Sequence, residues 1–256
     1  MTVLFDTKKK RSALIPSEYC GTVGYKQGYR LQLATHDKVS RGENLGKIIL
    51  LQHADVLTLG KNATVKHIRL SQQELERKKI PIYRVERGGN VTAHMPGQLV
   101  VYPILHLSRL GFGIRQYIEI LESAVLEFLG EFGLRGASNQ FGPGVWCQGQ
   151  KIASIGVRVK KRTTFHGLAI NLTNSLELFG GIHPCGDSEV LVGRVSDFCS
   201  VALDMIELAR KFSSILTHLL GFAGADFSSV STSQEPCAVD KDEFDFGKIQ
   251  TLGEID

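Results

Sequence analysis

Three segments of the 256-residue chain hold the residues best suited to chemistry. The first reads Arg87-Gly88-Gly89-Asn90-Val91-Thr92-Ala93-His94-Met95-Pro96-Gly97-Gln98. Gly88-Gly89 permits positive φ and a close approach of backbone to a ligand. Arg87 offers a fixed fork of donors, and His94 a ring that titrates near neutrality. A long hairpin loop built around a glycine turn would show the same pattern, so the segment alone does not choose between binding and architecture.

The second segment runs from Gly142 to Gly156 and reads as strand, polar glycine turn, strand. Lys151 opens its second strand, ahead of an apolar run. A lysine there is usually a solvated edge charge. Desolvated, or set beside a thiol, its amine becomes chemically useful. Ser154 and Gly156 follow, and after the next turn comes Phe165-His166-Gly167-Leu168-Ala169-Ile170-Asn171. Small residues inside strands weaken packing and mark close approach of a ligand or another backbone.

The third segment, Gly181-Ile182-His183-Pro184-Cys185-Gly186-Asp187, places Cys185 between proline and glycine. Neither regular helix nor regular strand accommodates that sequence. A nucleophilic thiol needs a base or a positive charge nearby to reach the thiolate form. His183, His94 and Lys151 are all candidates, and sequence spacing does not choose among them. Cys147 and Cys199 lie among apolar residues, as small core residues do. Cys20 and Cys237 fall in terminal segments. A metal site from His166, His183 and Cys185 matches no standard structural zinc spacing.

These segments need elements to position them. Short runs rich in Val, Ile, Leu and aromatics predict strands at 47–53, 80–84, 99–105, 144–147, 151–159 and 163–172. Apolar residues at three- and four-residue steps predict a helix from Ile114 to Phe132 and another from Leu203 to Leu219, with Gly221 as its stop. A weaker helical pattern covers 27–41. Strands on both sides of the first strong helix predict an α/β (α+β) domain with one principal sheet.

Composition agrees with a soluble globular protein: 43% hydrophobic residues, 22% charged, and a net charge of +4. That charge is mild, where nucleic-acid domains usually carry a higher pI and clustered basic stripes. The five cysteines are odd in number, with no CxxC pair, which argues against a disulfide framework and for a reducing compartment. The run Lys8-Lys9-Lys10-Arg11 is followed by no apolar stretch, so it does not read as a secretory signal. No apolar stretch is long enough for a membrane span. A cytoplasmic protein is expected. Residues 1–24 read as a solvated extension, 25–224 as one compact domain, and 225–256, Ser-rich and then acidic, as a flexible tail.

The chain resembles the lipoyl/octanoyl transferase family. Four patterns occur in the family's order: Arg-Gly-Gly…Thr-x-His-x-Pro-Gly-Gln at Arg87–Gln98, Gly-Val-Trp…Lys-Ile-Ala-Ser-Ile-Gly at Gly144–Gly156, Phe-His-Gly-Leu-Ala-Ile-Asn at Phe165–Asn171, and Pro-Cys-Gly at Pro184–Gly186. The stretch Gln52–Gly60 also looks like the family segment that precedes its first loop. The resemblance implies a biotin/lipoate protein ligase-like catalytic domain, with a mixed central sheet flanked by helices. It implies an acyltransferase that moves an octanoyl (or lipoyl) group from acyl carrier protein to a lysine of lipoyl domains of 2-oxoacid dehydrogenases or of glycine-cleavage H protein.

By the same resemblance Cys185 is the nucleophile and Lys151 its partner, and the acyl group passes through a cysteine thioester. The substrate-contacting positions carried over are Arg87, Gly88, Gly89, Asn90, Val91, Thr92, Ala93 and His94, then Ser154, Ile155 and Gly156, then Gly167, Leu168 and Ala169. No cofactor or metal is implied, because the acyl group arrives activated as a thioester. No nucleic acid or membrane partner is expected. Ala93 stands where the family commonly has an aromatic residue, and Met95 where it commonly has glycine. Both flank His94 and bear on acyl-chain preference. Two competing readings are an ATP-dependent lipoate ligase of the same fold, which would not need Cys185, and a non-catalytic acyl- or carrier-binding module, which would not need the Cys185–Lys151 pair.

Overall fold

The structure is a computed structural model that describes residues 11–138, 142–183, 190–199, 204–229 and 250–251. The strands are β1 (Arg11–Val23), β2 (Gly46–His53), β3 (Val56–Leu59), β4 (Ile82–Arg84), β5 (Val91–His94), β6 (Gln98–Leu105), β7 (Gly136–Ala137), β8 (Gly144–Cys147), β9 (Gln150–Lys160), β10 (Thr163–Asn171), β11 (Phe222–Ser229) and β12 (Gln250–Thr251). The helices are α1 (Tyr25–Arg41), α2 (Gln72–Arg77), α3 (Leu107–Leu110), α4 (Ile114–Gly130), α5 (Glu177–Gly180) and α6 (Met205–Leu219).

Among the described residues, eight strands form one mixed sheet in the order β11-β1-β2-β6-β10-β9-β8-β7. β1 runs parallel to both β11 and β2, and every later pair in that sheet is antiparallel. A second, smaller sheet has the order β12-β4-β3-β5. The amphipathic stripes of α4 and α6 bury Phe128, Leu121, Phe212 and Leu216 on one face of the large sheet, against Ile48, Leu99, Ile152 and Ile170. On the other face α1 buries Tyr25 and Tyr29 against Leu51, Val100 and Phe165. The small sheet keeps a core of its own, with Leu57, Ile82, Leu178 and Phe179.

The six expected strands and all three expected helices form, with ends displaced by a few residues at most. Three stretches differ from the expectation. Part of the expected N-terminal extension is strand β1, which buries Ile15, Ser17 and Tyr19 beside β2. Arg11, taken as part of a solvated basic run, is anchored there. Its guanidinium donates to the carbonyls of Leu220 at 2.8 Å and Leu110 at 2.7 Å. The expected tail begins inside β11, which pairs with β1 at the sheet edge. The loop expected after Asn90 contains β5, which pairs with β3. In all three, tertiary pairing overrides weak local patterning.

His53 links three neighbouring strands on the α1 face. Its Nδ1–H donates to the Val23 carbonyl at 3.0 Å, and the Tyr102 hydroxyl donates to its Nε2 at 2.8 Å. Burial pushes its pKa from 6.5 down to about 4. The unfolded chain therefore binds a proton below pH 6.5 that the folded chain refuses until about pH 4. The ring's contribution is complete above the unfolded value and is lost as pH falls through that window, by up to about 3 kcal/mol in all. Urea unfolding at pH 7 and pH 5 should show His53→Leu less stable at pH 7 but losing less on acidification than the parent chain. An equal loss in both would remove His53 from the acid response.

Candidate active site

A cavity of about 340 Å³ lies on the α1 face of the large sheet, under the loop that leads into β5. That size is at the lower end for small-molecule pockets. Its floor is made of small residues. Ala169 of β10 lies opposite Val100 of β6 on one side and Ser154 of β9 on the other, and Gly144 of β8 lies opposite Ser154. Two residues further along the ladder Gly167 lies opposite Gly156. A Cβ on Gly167 would run into the Val101 carbonyl oxygen, so this position cannot carry a side chain without moving β6. Ile155 and Leu168 complete the lining between these steps.

The roof is the segment from Arg87 to Asn90. Arg87 is 8% exposed, and its Nη2 donates to the Thr58 carbonyl at 2.7 Å and to Thr58 Oγ1 at 3.0 Å. Its Nε also reaches Thr58 Oγ1 at 3.2 Å, and its Nη1 donates to the Gly88 carbonyl at 3.0 Å. Burial pushes the guanidinium down to about 10, still charged at neutral pH. The Gly88 N–H donates to the Val157 carbonyl at 3.1 Å, which ties roof to floor. Gly89 stands at φ +81, the conformation that the glycine pair was expected to supply.

Lys151 lies on the cavity wall and is only 7% exposed. Its Nζ sits 4.8 Å from the centre of the Trp146 ring, a cation–π arrangement. Gly144 passes so close that a Cβ there would fall 2.8 Å from Lys151 Cε. The Gly144 N–H donates to Glu122 Oε1 of α4 at 3.1 Å. Burial raises the Glu122 pKa, against the pull of that N–H and of the Lys151 charge.

The same lysine holds the chain that follows Cys185. The Lys151 N–H donates to the Leu191 carbonyl at 2.7 Å, and the Gly193 N–H donates to the Lys151 carbonyl at 3.1 Å. On the near side, the His183 N–H donates to the His67 carbonyl at 2.8 Å. Cys185 itself lies outside the described residues. His183, one of the candidate bases, is half-buried and is not part of the lining.

Of the expected substrate-contacting residues, Arg87, Gly88, Gly89, Asn90, Val91, Thr92 and His94 line the cavity, as do Ser154, Ile155, Gly156, Gly167, Leu168 and Ala169. Ala93 does not. It is fully buried with Met95 in the core of the small sheet, beside Leu178 and Phe179. The two departures from the family pattern are therefore packing changes in that core, and neither side chain meets the cavity. Tyr25 of α1, Asn62 and Tyr102 of β6 also line it without having been expected, as does His166, which stands in the Phe165–Asn171 pattern but was not among the expected contacts. Tyr25 and Tyr102 carried no local signal. They become lining only through the packing of α1 on β6 and β10. His166 stands at φ +59 on β10, with its N–H donated to Gln32 Oε1 at 2.9 Å. Among the described residues no three His, Cys, Asp or Glu side chains converge as a metal-binding set.

The arrangement offers a buried lysine beside a floor of small residues, with histidines that burial keeps neutral. Burial, with His53 and Arg87 nearby, pushes His94 down to about 3. The lining is mixed: small and apolar residues of the strands on one side, Arg87, His94, Lys151 and His166 on the others.

The protein family described as the lipoyl protein ligase A/B catalytic domain matches residues 25–217. An octanoyltransferase of Syntrophobacter fumaroxidans is 39% identical over 199 residues, 78% of this chain and 86% of that protein. An octanoyltransferase of Nitratidesulfovibrio vulgaris is 37% identical over 209 residues, 80% of this chain and 95% of that protein. The structure of the bi-partite lipoate protein ligase and its E2 lipoyl domain from Thermoplasma acidophilum is similar in fold, with a TM-score of 0.63 at 14% identity. That likeness covers 86% of this chain and 89% of the other. The mixed sheet flanked by helices is thus the lipoate-ligase architecture that the sequence motifs implied, and the chain belongs to the lipoyl protein ligase A/B catalytic-domain family.

Proposed function

We propose that this chain is an octanoyltransferase of protein lipoylation. It would take an octanoyl group from acyl carrier protein onto Cys185 and pass it to a lysine of a lipoyl domain or of glycine-cleavage H protein. The observation that carries the reading is Lys151: a buried lysine on the wall of a cavity floored by small residues, hydrogen-bonded through its backbone to Leu191 and Gly193, which follow Cys185 in the chain. The relatives named octanoyltransferase, matched over most of their length, support the same chemistry.

In the first half-reaction the Cys185 thiolate attacks the thioester carbonyl. A new C–S bond forms, the carrier's C–S bond breaks, and the departing thiolate takes a proton from the Lys151 ammonium. An ammonium at close contact stabilises a thiolate by about 4 kcal/mol at an effective dielectric of 20. That is about three pKa units, enough to bring a thiol near 8.5 below neutrality. In the second half-reaction a neutral ε-amine attacks the enzyme thioester. The N–C bond forms, the C–S bond breaks, and a proton passes from nitrogen to sulfur by way of Lys151. Substrate is activated before it arrives, so the cycle needs no ATP. No described helix is long and apolar enough to cross a membrane. A reducing cytoplasm suits a free catalytic thiol.

Incubation with octanoyl-acyl carrier protein and no ATP should add one octanoyl mass to the intact protein. Hydroxylamine should remove it, and Cys185→Ser should never acquire it. An unchanged mass under turnover conditions would sink the covalent route, and a mass gain only with ATP and free acid would favour a ligase.

Lys151→Ala tests the partner. If the thiol returns to a pKa near 8.5, its thiolate fraction at pH 7 falls to a few per cent, and acylation should slow roughly 30-fold. Raising the pH toward 9 should recover much of the rate. A variant as fast as the parent chain at pH 7 would show that another group activates Cys185.

A further inference from the structure

His94 faces the cavity at the end of a chain of side-chain amides. Its Nδ1 lies 2.7 Å from Gln98 Oε1. The Gln98 Nε2 donates to the Ala93 carbonyl at 3.2 Å and to Asn171 Oδ1 at 2.9 Å. The Asn171 Nδ2 donates to the Gly193 carbonyl at 3.0 Å, and the Gly193 N–H in turn donates to the Lys151 carbonyl. Gln98 is 1% exposed and Asn171 4%.

The direction of this chain is forced. Backbone carbonyls only accept, so the amide nitrogens of Gln98 and Asn171 must be the atoms that meet Ala93 and Gly193. The Gln98 oxygen is then left for His94, and only a protonated Nδ1 can satisfy it. In a neutral imidazole the second nitrogen must carry the lone pair. Four groups crowd the ring from other elements: Tyr25 of α1, His53 of β2, Arg87 of the roof and His166 of β10. None is a carboxylate. Burial and these neighbours hold the ring neutral. No described residue bonds its Nε2.

We propose that Gln98 and Asn171 are positioning residues that lock His94 in its Nδ1–H tautomer, so that Nε2 presents a hydrogen-bond acceptor to the attacking primary amine. The assignment to the amine rests on the acyl-transfer reading above. Two partners pass through the site. The donor thioester has no S–H or N–H at its reacting atom, and the tetrahedral oxygen that forms is an anion, which a lone pair repels. A neutral amine keeps two N–H bonds while its own lone pair attacks. One proton ends on the Cys185 sulfur as the C–S bond breaks, and the other stays on the amide nitrogen. Nε2 holds the retained N–H, aims the amine lone pair at the carbonyl, and takes no net proton. So weak a base does not deprotonate an ammonium, which distinguishes orienting the amine from general-base catalysis.

Nitrogen NMR of ¹⁵N-histidine-labelled full-length protein tests the tautomer without reference to activity, with His94 assigned from a His94→Gln sample. The parent chain at pH 7 should show a protonated Nδ1 and a bare Nε2. Gln98→Leu should lose that preference, and should slow transfer from octanoyl-enzyme to a lipoyl domain about tenfold more than it slows acylation, the scale of one hydrogen bond. Gln98→Glu keeps an acceptor for Nδ1–H, so it should retain the tautomer, raise the pH at which His94 protonates, and recover part of the transfer rate. A protonated Nε2 in the parent chain, or an unchanged ring in Gln98→Leu, overturns the relay. A changed tautomer with both half-reactions slowed equally overturns the role toward the amine. Failure of the parent chain to form an acyl-enzyme overturns the transfer reading and that role with it, while the nitrogen shifts still decide the relay.

Discussion

A buried guanidinium holds the roof of the cavity in place. Arg87 meets backbone and hydroxyl oxygens rather than a carboxylate among the described residues, so its charge is spread over dipoles and not cancelled. That choice has two effects. It fixes the 87–90 segment against β3, and through Gly88 against β9, so that a loop of glycines has one conformation. It also leaves a positive potential over the channel, which helps to keep His94 and His166 unprotonated. Cancelling Arg87 with a carboxylate would supply the roof bonds but not the field.

The floor depends on a different constraint, the closeness of backbones. Gly144 leaves room for the Lys151 side chain, and Gly167 leaves room for β6. The two requirements act on opposite edges of the β9–β10 pair, at β8 and at β6. Neither glycine contributes a functional group. Their effect is to let an amine and a neighbouring strand come nearer than any side chain would allow.

Much of this was legible in the sequence because the chemistry sits in short runs. The Arg87–His94, Ser154–Gly156 and Gly167–Ala169 stretches each supply lining residues, and the β9–β10 hairpin sets the register that unites the last two. What escaped the sequence was decided at long range. β1 has a mixed apolar and polar pattern around Ile15, Ser17 and Tyr19, and becomes a strand because β2 and β11 flank it. Ala93 looked like a contact because it sits beside His94. In a strand, neighbours point to opposite faces, and its face belongs to the small sheet. Tyr25 and Tyr102 reach the cavity from elements far apart in the chain, and no local pattern announces such a meeting.

Tyr25 closes one side of the cavity, and its ring lies against Tyr83, His53 and His94 at centroid distances of 5.4, 5.0 and 6.3 Å. The ring is therefore one member of an aromatic stack that joins α1 to both sheets. Moving that ring therefore disturbs the stack, and with it the seating of the helix, so this wall of the cavity is held by a helix and two sheets together rather than by the rotamer of one residue.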